Sequence, residues 1–483
     1  MGKWYQSGTS TVSIGLPSVA HQEVHRKVRE GFPMGSRVTY RRFSPLKGDV
    51  ASWALGIGLG LTVAMQLTTM RKSDIDTLYA AVGSLSRLAA LLGTYFALVG
   101  IFMIARIPWV EKSIGHDRLV VWHRKLGPWS LYLIGAHVFF ITISYAGFSQ
   151  ISLVSQFWQI LNDFGWMWFA LAGFFLMIFA GITSYKKARA TMSYETWWIL
   201  HVFTYGAMAA SFMHQIVNGQ MFIGHPLNRG YWIALYVAMA FCVIWWRIVK
   251  PAVLSIKHRL VIDKVVKEGP GVYSIIFKGR RLRELGAEGG QFFNWRFNTK
   301  GHRLLAHPYS LSAAPTDEYM RISVKNLGDH SRAMEYLRVG TKVWFEGPYG
   351  AFTAGRTKSK RAVLIGGGVG ITPIRALLDE FKDSASVDVI FRAPREEDLI
   401  LREELDYIAS KSHGTVRVHY MAGPRKNFPM DAPFLGALIP DIADAEIYIC
   451  GPLALIETVV QAAKELGVSA TRVHHEEFVY HAV

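Results

Sequence analysis

Cysteine is nearly absent from this chain: 2 of its 483 residues are Cys, at positions 242 and 450. One lies in an apolar run and the other far downstream, so neither a disulfide framework nor a cysteine-ligated metal site can be assembled from them. That scarcity fits a soluble part kept in a reducing compartment. The first 48 residues lack the apolar core of a signal peptide; rich in Gly, Ser, Arg and His, they read as a flexible cytoplasmic tail. Internal repeats and low-complexity segments are also missing. Acidic residues are outnumbered, 36 Asp and Glu against 53 Lys and Arg, for a formal net charge of +17. Such an excess suits nucleic acid or the cytoplasmic loops of a membrane protein, and its distribution decides between them.

What is abundant is apolar: 51% of the residues, with 15 Trp, crowded between about Val50 and Val249. Six stretches there can cross a hydrocarbon core of about 30 Å, which takes roughly 20 helical residues. They are Val50–Met70, Leu85–Ala105, Leu119–Tyr145, Phe164–Ser184, Trp197–Val217 and Tyr231–Val249. Lys and Arg cluster before the first (Arg37, Arg41, Arg42, Lys47), around the second connection (Arg106, Lys112, Arg118, Arg124, Lys125), after the fourth (Lys186, Lys187, Arg189) and after the sixth (Arg247, Lys250, Lys257, Arg259). The alternate loops are poorer, though Arg71, Lys72 and Arg87 depart from the pattern. The positive-inside rule then puts both termini in the cytoplasm of a multi-pass protein of the plasma or inner membrane, and the charge needs no nucleic acid.

From about His258 short alternating segments take over, including Arg259–Val266, Gly271–Phe277, Arg321–Val324 and Lys342–Glu346, the pattern of a small antiparallel β-barrel. After the basic linker Thr357–Arg361, strands and helices alternate in βαβ fashion around a parallel sheet. The expected architecture is therefore a tail (1–48), a six-helix transmembrane bundle (49–250), an antiparallel β-barrel domain (257–356) and an α/β parallel-sheet nucleotide-binding domain (360–483).

Four histidines stand out in the apolar half. His123 and His137 lie fourteen residues apart on the third stretch, and His201 and His214 thirteen apart on the fifth. Each pair is separated by roughly 20 Å along its helix. A lone membrane histidine serves helix packing as readily as ligation. Two pairs at matched depth suit the axial ligation of two stacked b-type haems, His123 with His201 on the inner side and His137 with His214 on the outer. One point resists: fourteen residues return to within roughly 40° of the same helix face, but thirteen miss it by about 140°. A bend near Gly206 and a lateral offset of the rings are expected to absorb the difference. His116 and His225 read as loop residues.

In the soluble half, His307-Pro308-Tyr309-Ser310-Leu311-Ser312 ends a barrel strand, with an aromatic face and a hydroxyl suited to a flavin. Lys325, Gly328 and Ser331 offer a cation, a glycine and a hydroxyl at a helix start suited to a pyrophosphate. Each of these alone reads more readily as turn chemistry, and order and spacing raise them together. Gly366, Gly367, Gly368 and Gly370, followed by Thr372 and Pro373, join a buried strand to a helix, so that backbone can approach phosphate at a helix N-terminus. Cys450-Gly451-Pro452 ends a later strand and would border a nicotinamide. Arg392 and Arg395 offer planar donors for a 2′-phosphate, which favours NADPH over NADH, unless they are simply solvated.

Together these residues resemble the ferric reductase and NADPH oxidase superfamily from about residue 50 onward. The resemblance rests on the histidine pairs, Tyr194-Glu195-Thr196-Trp197-Trp198-Ile199-Leu200-His201, the His-Pro flavin motif, Gly347-Pro348-Tyr349-Gly350, the glycine run and Cys450-Gly451-Pro452. It implies FAD, two haems and NADPH, with electrons crossing to an acceptor outside. By position Phe478 resembles the aromatic residue that covers the flavin, with Tyr480 the substitute, and Arg87 would assist at the outer acceptor site. No further histidine follows His137 within one turn, and no long outer domain argues for a large docking partner. Ferric chelates, oxygen and quinone stay open as acceptors. Two other readings stand beside this one: a membrane-anchored cytoplasmic flavin reductase with structural histidines, and a histidine-lined transporter with a nucleotide-sensing domain.

Overall fold

A computed structural model describes residues 45–299, 306–357, 359–381 and 386–477. The apolar half folds into helices α1 (Pro45–Thr69), α2 (Leu78–Ile104), α3 (Pro108–Ile114), α4 (His116–Ser149), α5 (Leu153–Asp163), α6 (Met167–Ser184), α7 (Lys186–Ala190), α8 (Tyr194–Ala210), α9 (Phe212–Asn218) and α10 (Pro226–Ile244). A π-turn at Trp245–Val249 leads into α11 (Lys250–His258). Thr77 and Ser193 cap α2 and α8, each accepting a backbone N–H from three residues on.

Five helical stretches among the described residues are long and apolar enough to cross a bilayer: Gly48–Thr69, Leu78–Ile104, Arg118–Ser149, Met167–Ser184 and Pro226–His258. The other stretch expected to span, Trp197–Val217, is not one helix. It breaks at Ser211 between α8 and α9, where the Ser211 amide reaches the carbonyls of Ala207 and Ala209. The fourth span begins at Met167, later than expected, because the preceding residues belong to the separate helix α5 and its turn. α2 lies against α4 along most of its length, and α6 against α8. Close approach of the first pair depends on Gly93, where a methyl group would come within 2.9 Å of Ile134. The loop assignment holds for His225, the residue before α10, but not for His116, which opens α4.

The soluble half starts with β1 (Val261–Gly269), β2 (Val272–Lys278), β3 (Phe292–Phe297), β4 (His307–Ser310), β5 (Tyr319–Lys325) and β6 (Val343–Tyr349). They form two antiparallel three-stranded sheets, β1-β2-β5 and β4-β3-β6, linked by the bridges Val261 to Lys342 and Leu311 to Ile322. Alternate residues such as Ile275, Phe277, Phe293, Trp295 and Phe345 face inward and are fully buried, Phe277 stacked on Trp295 at 4.5 Å.

Downstream, β7 (Arg361–Gly367), β8 (Ser386–Ala393), β9 (Val416–Ala422), β10 (Glu446–Gly451) and β11 (Val473–Glu477) make a parallel sheet in the order β11-β10-β7-β8-β9. The helices α12 (Asp329–Ala333), α13 (Ile371–Phe381), α14 (Arg402–Lys411), α15 (Ala432–Leu438) and α16 (Leu453–Glu465) complete this half, all but α12 covering the sheet. Both faces carry apolar clusters, as near-continuous runs such as Ala362–Ile365 require. Strand order reverses between β7 and β10, and the C-terminal ends of these two strands form the crevice where open α/β sheets bind ligands.

Candidate functional site

Three of the four membrane histidines have their Nδ1 engaged. His123 Nδ1 lies 3.0 Å from the Gly100 carbonyl on α2, and His137 Nδ1 lies 3.1 Å from the Ser86 carbonyl on the same helix. A nitrogen facing a carbonyl oxygen must be the donor, so Nδ1 holds the proton and Nε2 is left as a lone-pair ligand. The Ser86 hydroxyl adds a bond to the His137 carbonyl at 2.9 Å. His201 Nδ1 stands 3.2 Å from the Ser184 hydroxyl, which also accepts the Trp197 indole N–H at 3.2 Å. Trp197 is stacked on His201 at 5.0 Å, with the Arg189 guanidinium 4.9 Å from the indole ring.

The His123 and His201 rings face each other with centroids 6.0 Å apart. Two metal–imidazole bonds of about 2 Å each, plus the reach of each ring, require roughly 6 Å. At the other level, His137 and His214 line one apolar cavity of about 190 Å³. Arg87, Thr142, Tyr145, Ser211 and Gln215 supply its polar lining. Among the described residues no cluster of three or more His, Cys, Asp or Glu is arranged for a bare metal ion. Arg87 is held near the cavity by Asp74 at 3.9 Å and the Ser84 hydroxyl at 3.3 Å.

Ser211, at the joint of α8 and α9, keeps its bond to the Ala207 carbonyl but departs from helical ψ at −5°, so the turn that carries His214 is offset from a straight helix counted from His201. Gly206, where a bend was expected, lies inside the unbroken α8. α9 is pinned by Gln215, whose amide accepts the Trp232 indole N–H at 2.8 Å and donates to the Tyr236 hydroxyl at 3.1 Å, and by Asn218, which donates to the Gly165 carbonyl at 2.8 Å.

Where the two halves meet, Glu111 on α3 takes a 2.7 Å bond from Arg106 and lies 3.5 Å from His116 Nδ1. The Arg106 guanidinium sits 4.5 Å above the Tyr349 ring and 5.8 Å from that of Phe292. Tyr349, Phe292 and Ser310 are paired in one row across β6, β3 and β4. Ser310, expected to meet a flavin, is thus on the β4-β3-β6 sheet, whose Tyr349 and Phe292 lie against Arg106 of the membrane half. A second buried carboxylate, Glu346, ties Arg247 of the bundle to Arg296 of the barrel.

Within the His307–Ser312 stretch the roles divide. Pro308 is exposed, His307 and Tyr309 are half-buried, and the Tyr309 hydroxyl stands 3.4 Å from His330 Nδ1. Burial raises the Tyr309 phenol above its ordinary range, so it stays protonated. Leu311 and Ser312 are fully buried, and the Ser312 hydroxyl accepts from Arg321 Nε at 3.0 Å. Ser312 therefore belongs to the joint between the two soluble domains rather than to an open cradle. Lys325 ends β5, while Ser331 caps its own turn, accepting the Leu327 and Gly328 amides at 2.8 and 3.1 Å.

The glycine turn is tight by construction. Gly368 has φ +57°, a left-handed conformation, and a methyl at Gly370 would lie 2.2 Å from the Cys450 carbonyl oxygen. Gly366 and Gly367 would clash with Ile371 and with Leu455, and Gly451 lies against Gly367. Thr372 bonds back to the Val369 carbonyl at 3.0 Å, and Pro373 is buried in the first turn of α13. Cys450 is fully buried, which pushes its thiol well above the usual range and keeps it protonated; Pro452 precedes α16.

The arginines expected to share a phosphate part company. Arg392 donates to the carbonyls of Met421 at 2.9 Å and Gly423 at 2.7 Å, and also to that of Ala393, tying β8 to β9. Arg395 is exposed and paired with Asp398 at 2.9 Å. Arg425, unmarked in the sequence, stands beyond the end of β9, its side chain on Thr458 at 2.7 Å. Phe478 and Tyr480, expected over the flavin, and the tail up to residue 44 lie outside the described residues.

Residues 89–212 match the family model for the ferric reductase like transmembrane component, and residues 364–461 match the oxidoreductase NAD-binding domain. Among curated proteins, the chain is 28% identical over 240 residues to the glycine betaine monooxygenase reductase subunit of Chromohalobacter salexigens, covering 46% of this chain and 64% of that protein. It is 31% identical over 199 residues to a flavohemoprotein of Chromobacterium violaceum, covering 36% and 48% respectively. With the plasma membrane-associated coenzyme Q6 reductase of Saccharomyces cerevisiae it shares 27% identity over 231 residues, 45% of this chain and 73% of the yeast protein. The chain spans less than two thirds of the first two of these relatives.

Proposed function

Because this chain matches the ferric reductase/NADPH oxidase superfamily in both parts, a membrane helical region and an FAD- and NAD(P)H-binding reductase module, and is an NAD(P)H-dependent oxidoreductase, we propose that it carries electrons from cytoplasmic NADPH across the membrane. The relay is FAD and two b-type haems, and the acceptor on the outer side is a ferric chelate or oxygen. The observation that carries this reading is the two-tier arrangement of His123 facing His201 and of His137 and His214 flanking one cavity. Flavin supplies the exchange of a two-electron hydride for single electrons, and haem iron supplies single-electron passage through an apolar interior.

The chain's own residues do the rest. The amides at Gly368–Gly370 and the N-terminus of α13 bind the dinucleotide pyrophosphate, with Arg395 at the 2′-phosphate. Tyr309 and Ser310 orient the flavin ring. The Gly100 and Ser86 carbonyls hold the His123 and His137 imidazoles in the tautomer that leaves Nε2 for iron, and the Ser184 hydroxyl steadies the His201 ring. Arg87 offers a cation to an acceptor at the outer cavity; a sixth crossing by α8 and α9, added to the five long helices, would leave the reductase half on the cytoplasmic side that the loop charges favour. The likeness to a yeast coenzyme Q6 reductase adds a quinone to the acceptors worth assaying.

The visible spectrum of the purified, full-length protein tests this. Low-spin bis-histidine haem bands that NADPH reduces are expected. A flavin spectrum without haem sinks the proposal and leaves a membrane-anchored flavin reductase.

A further inference from the structure

The segment that follows the flavin strand is gripped from the nucleotide half. Arg321, with 1% of its side chain exposed, donates to the Ser312 hydroxyl at 3.0 Å and to the Ser312 carbonyl at 2.6 Å. Its guanidinium also meets Glu404 Oε2 at 2.8 Å and Oε1 at 3.2 Å. Glu404 takes a further 2.7 Å bond from Arg375 Nε, and Arg375 Nη1 lies 2.8 Å from Asp379. Asp379 in turn accepts the Ala314 amide at 3.0 Å. The path leaves the flavin segment at Ser312 and returns to it at Ala314. Between those points it passes through α14, which carries Glu404, and α13, which carries Arg375 and Asp379 and begins at the glycine turn.

The two cations and two anions cancel. Apolar side chains would hold two domains together with less desolvation cost. What guanidinium forks add is direction, because each admits a carboxylate in a narrow range of in-plane geometries.

We propose that the Arg321–Glu404–Arg375 bridge is a positioning element that fixes the flavin segment relative to the glycine turn, and so sets the alignment for hydride transfer from NAD(P)H. This rests on the reading of the soluble half as an FAD- and NAD(P)H-binding reductase. None of the three residues needs to touch a ligand: Arg321 acts through Ser312, and Arg375 through the helix that launches from the turn. A displacement of about 1 Å in such an arrangement costs up to roughly 10²-fold in rate.

The test is anaerobic mixing of the flavin-loaded full-length protein with NADPH and with NADPH deuterated at the transferred position. Glu404→Gln keeps shape and removes charge; Arg321→Lys keeps charge and removes the fork. Both are expected to slow flavin bleaching roughly 10- to 100-fold, to weaken the nicotinamide–flavin charge-transfer absorbance and to enlarge the isotope effect. Flavin content and NADPH affinity should stay at parent levels. Bleaching within about twofold of the parent, with only the melting temperature lowered, overturns the proposal and makes the bridge a folding contact. If Glu404→Gln does not yield folded protein, Arg321→Lys carries the same two outcomes, since Glu404 then still pairs with Arg375. A parent whose flavin neither NADPH nor NADH bleaches overturns the reading of the reductase half, and the bridge with it.

Discussion

His123 and His201 come from different helices, α4 and α8, and meet with ring centroids 6.0 Å apart and planes at 86°. Their Nδ1 atoms are both turned to protein oxygens, one to a backbone carbonyl and one to a serine hydroxyl. In the proposed relay their remaining nitrogens would hold the iron of one haem.

Haem content follows directly. His123→Ala or His201→Ala should each lower the haem-to-flavin ratio from two to one, and His137→Ala or His214→Ala should do the same at the other level. Double variants within one level should still hold one haem; double variants across levels should hold none. Pyridine haemochromogen assays against flavin absorbance read this out, and a single variant that keeps both haems breaks the ligand assignment.

On the proposed relay, Arg87 serves the acceptor and not the haems. It lines the cavity beside His137 and His214, with Asp74 at 3.9 Å. Arg87→Gln should leave both haems in place and reducible by NADPH, yet slow their reoxidation by the outer acceptor roughly 10- to 100-fold. Stopped-flow haem reoxidation with ferric chelate and with oxygen checks this, and equal slowing of haem reduction would assign Arg87 a structural part instead.

At the glycine turn, Gly370→Ala should be destabilising by about 1–3 kcal/mol, because the added methyl meets the Cys450 carbonyl at 2.2 Å with backbone on both sides. Flavin reduction by NADPH should fall sharply while haem content is unchanged. Urea unfolding followed by flavin fluorescence, together with the rate of flavin bleaching, measures the two effects on one sample.

Glu380 makes the soluble half sensitive to alkali. Burial pushes its carboxyl up to about 8, with the neighbouring Glu288 adding to the shift. The folded state therefore keeps this proton where the unfolded chain has lost it. That contribution to stability is complete below the ordinary carboxylate range and disappears as pH rises through about 8. The temperature at which flavin is released should fall between pH 6 and 9, and Glu380→Gln should flatten the decline. An unchanged slope in the variant would assign the pH dependence to other groups.

Legibility in the sequence followed the range of the interaction. The histidine pairs stand out because imidazoles are rare in apolar runs, and Gly366–Gly370 because strand, turn and helix follow one another within a dozen residues. Ser312 reads as part of a flavin motif, since its true partner, Arg321, is defined only once β4 and β5 are folded, and Glu404 joins from another domain. Arg392 reads as a phosphate ligand for the same reason: the carbonyls it serves belong to β9 and the turn after it. Small polar residues inside apolar stretches, Ser86 and Ser184 among them, were the available hint to the groups behind the imidazoles.

The interruption at Ser211 also bears on how kindred chains are to be found. A pattern that demands a fixed gap between the second pair of histidines treats the helix as a rigid ruler. Here α9 is a separate seven-residue piece anchored by Gln215 and Asn218, so its imidazole is addressed by the anchors and not by the count from His201. A search pattern for related chains would therefore weigh Gln215 and Asn218 beside the two histidines rather than the gap alone.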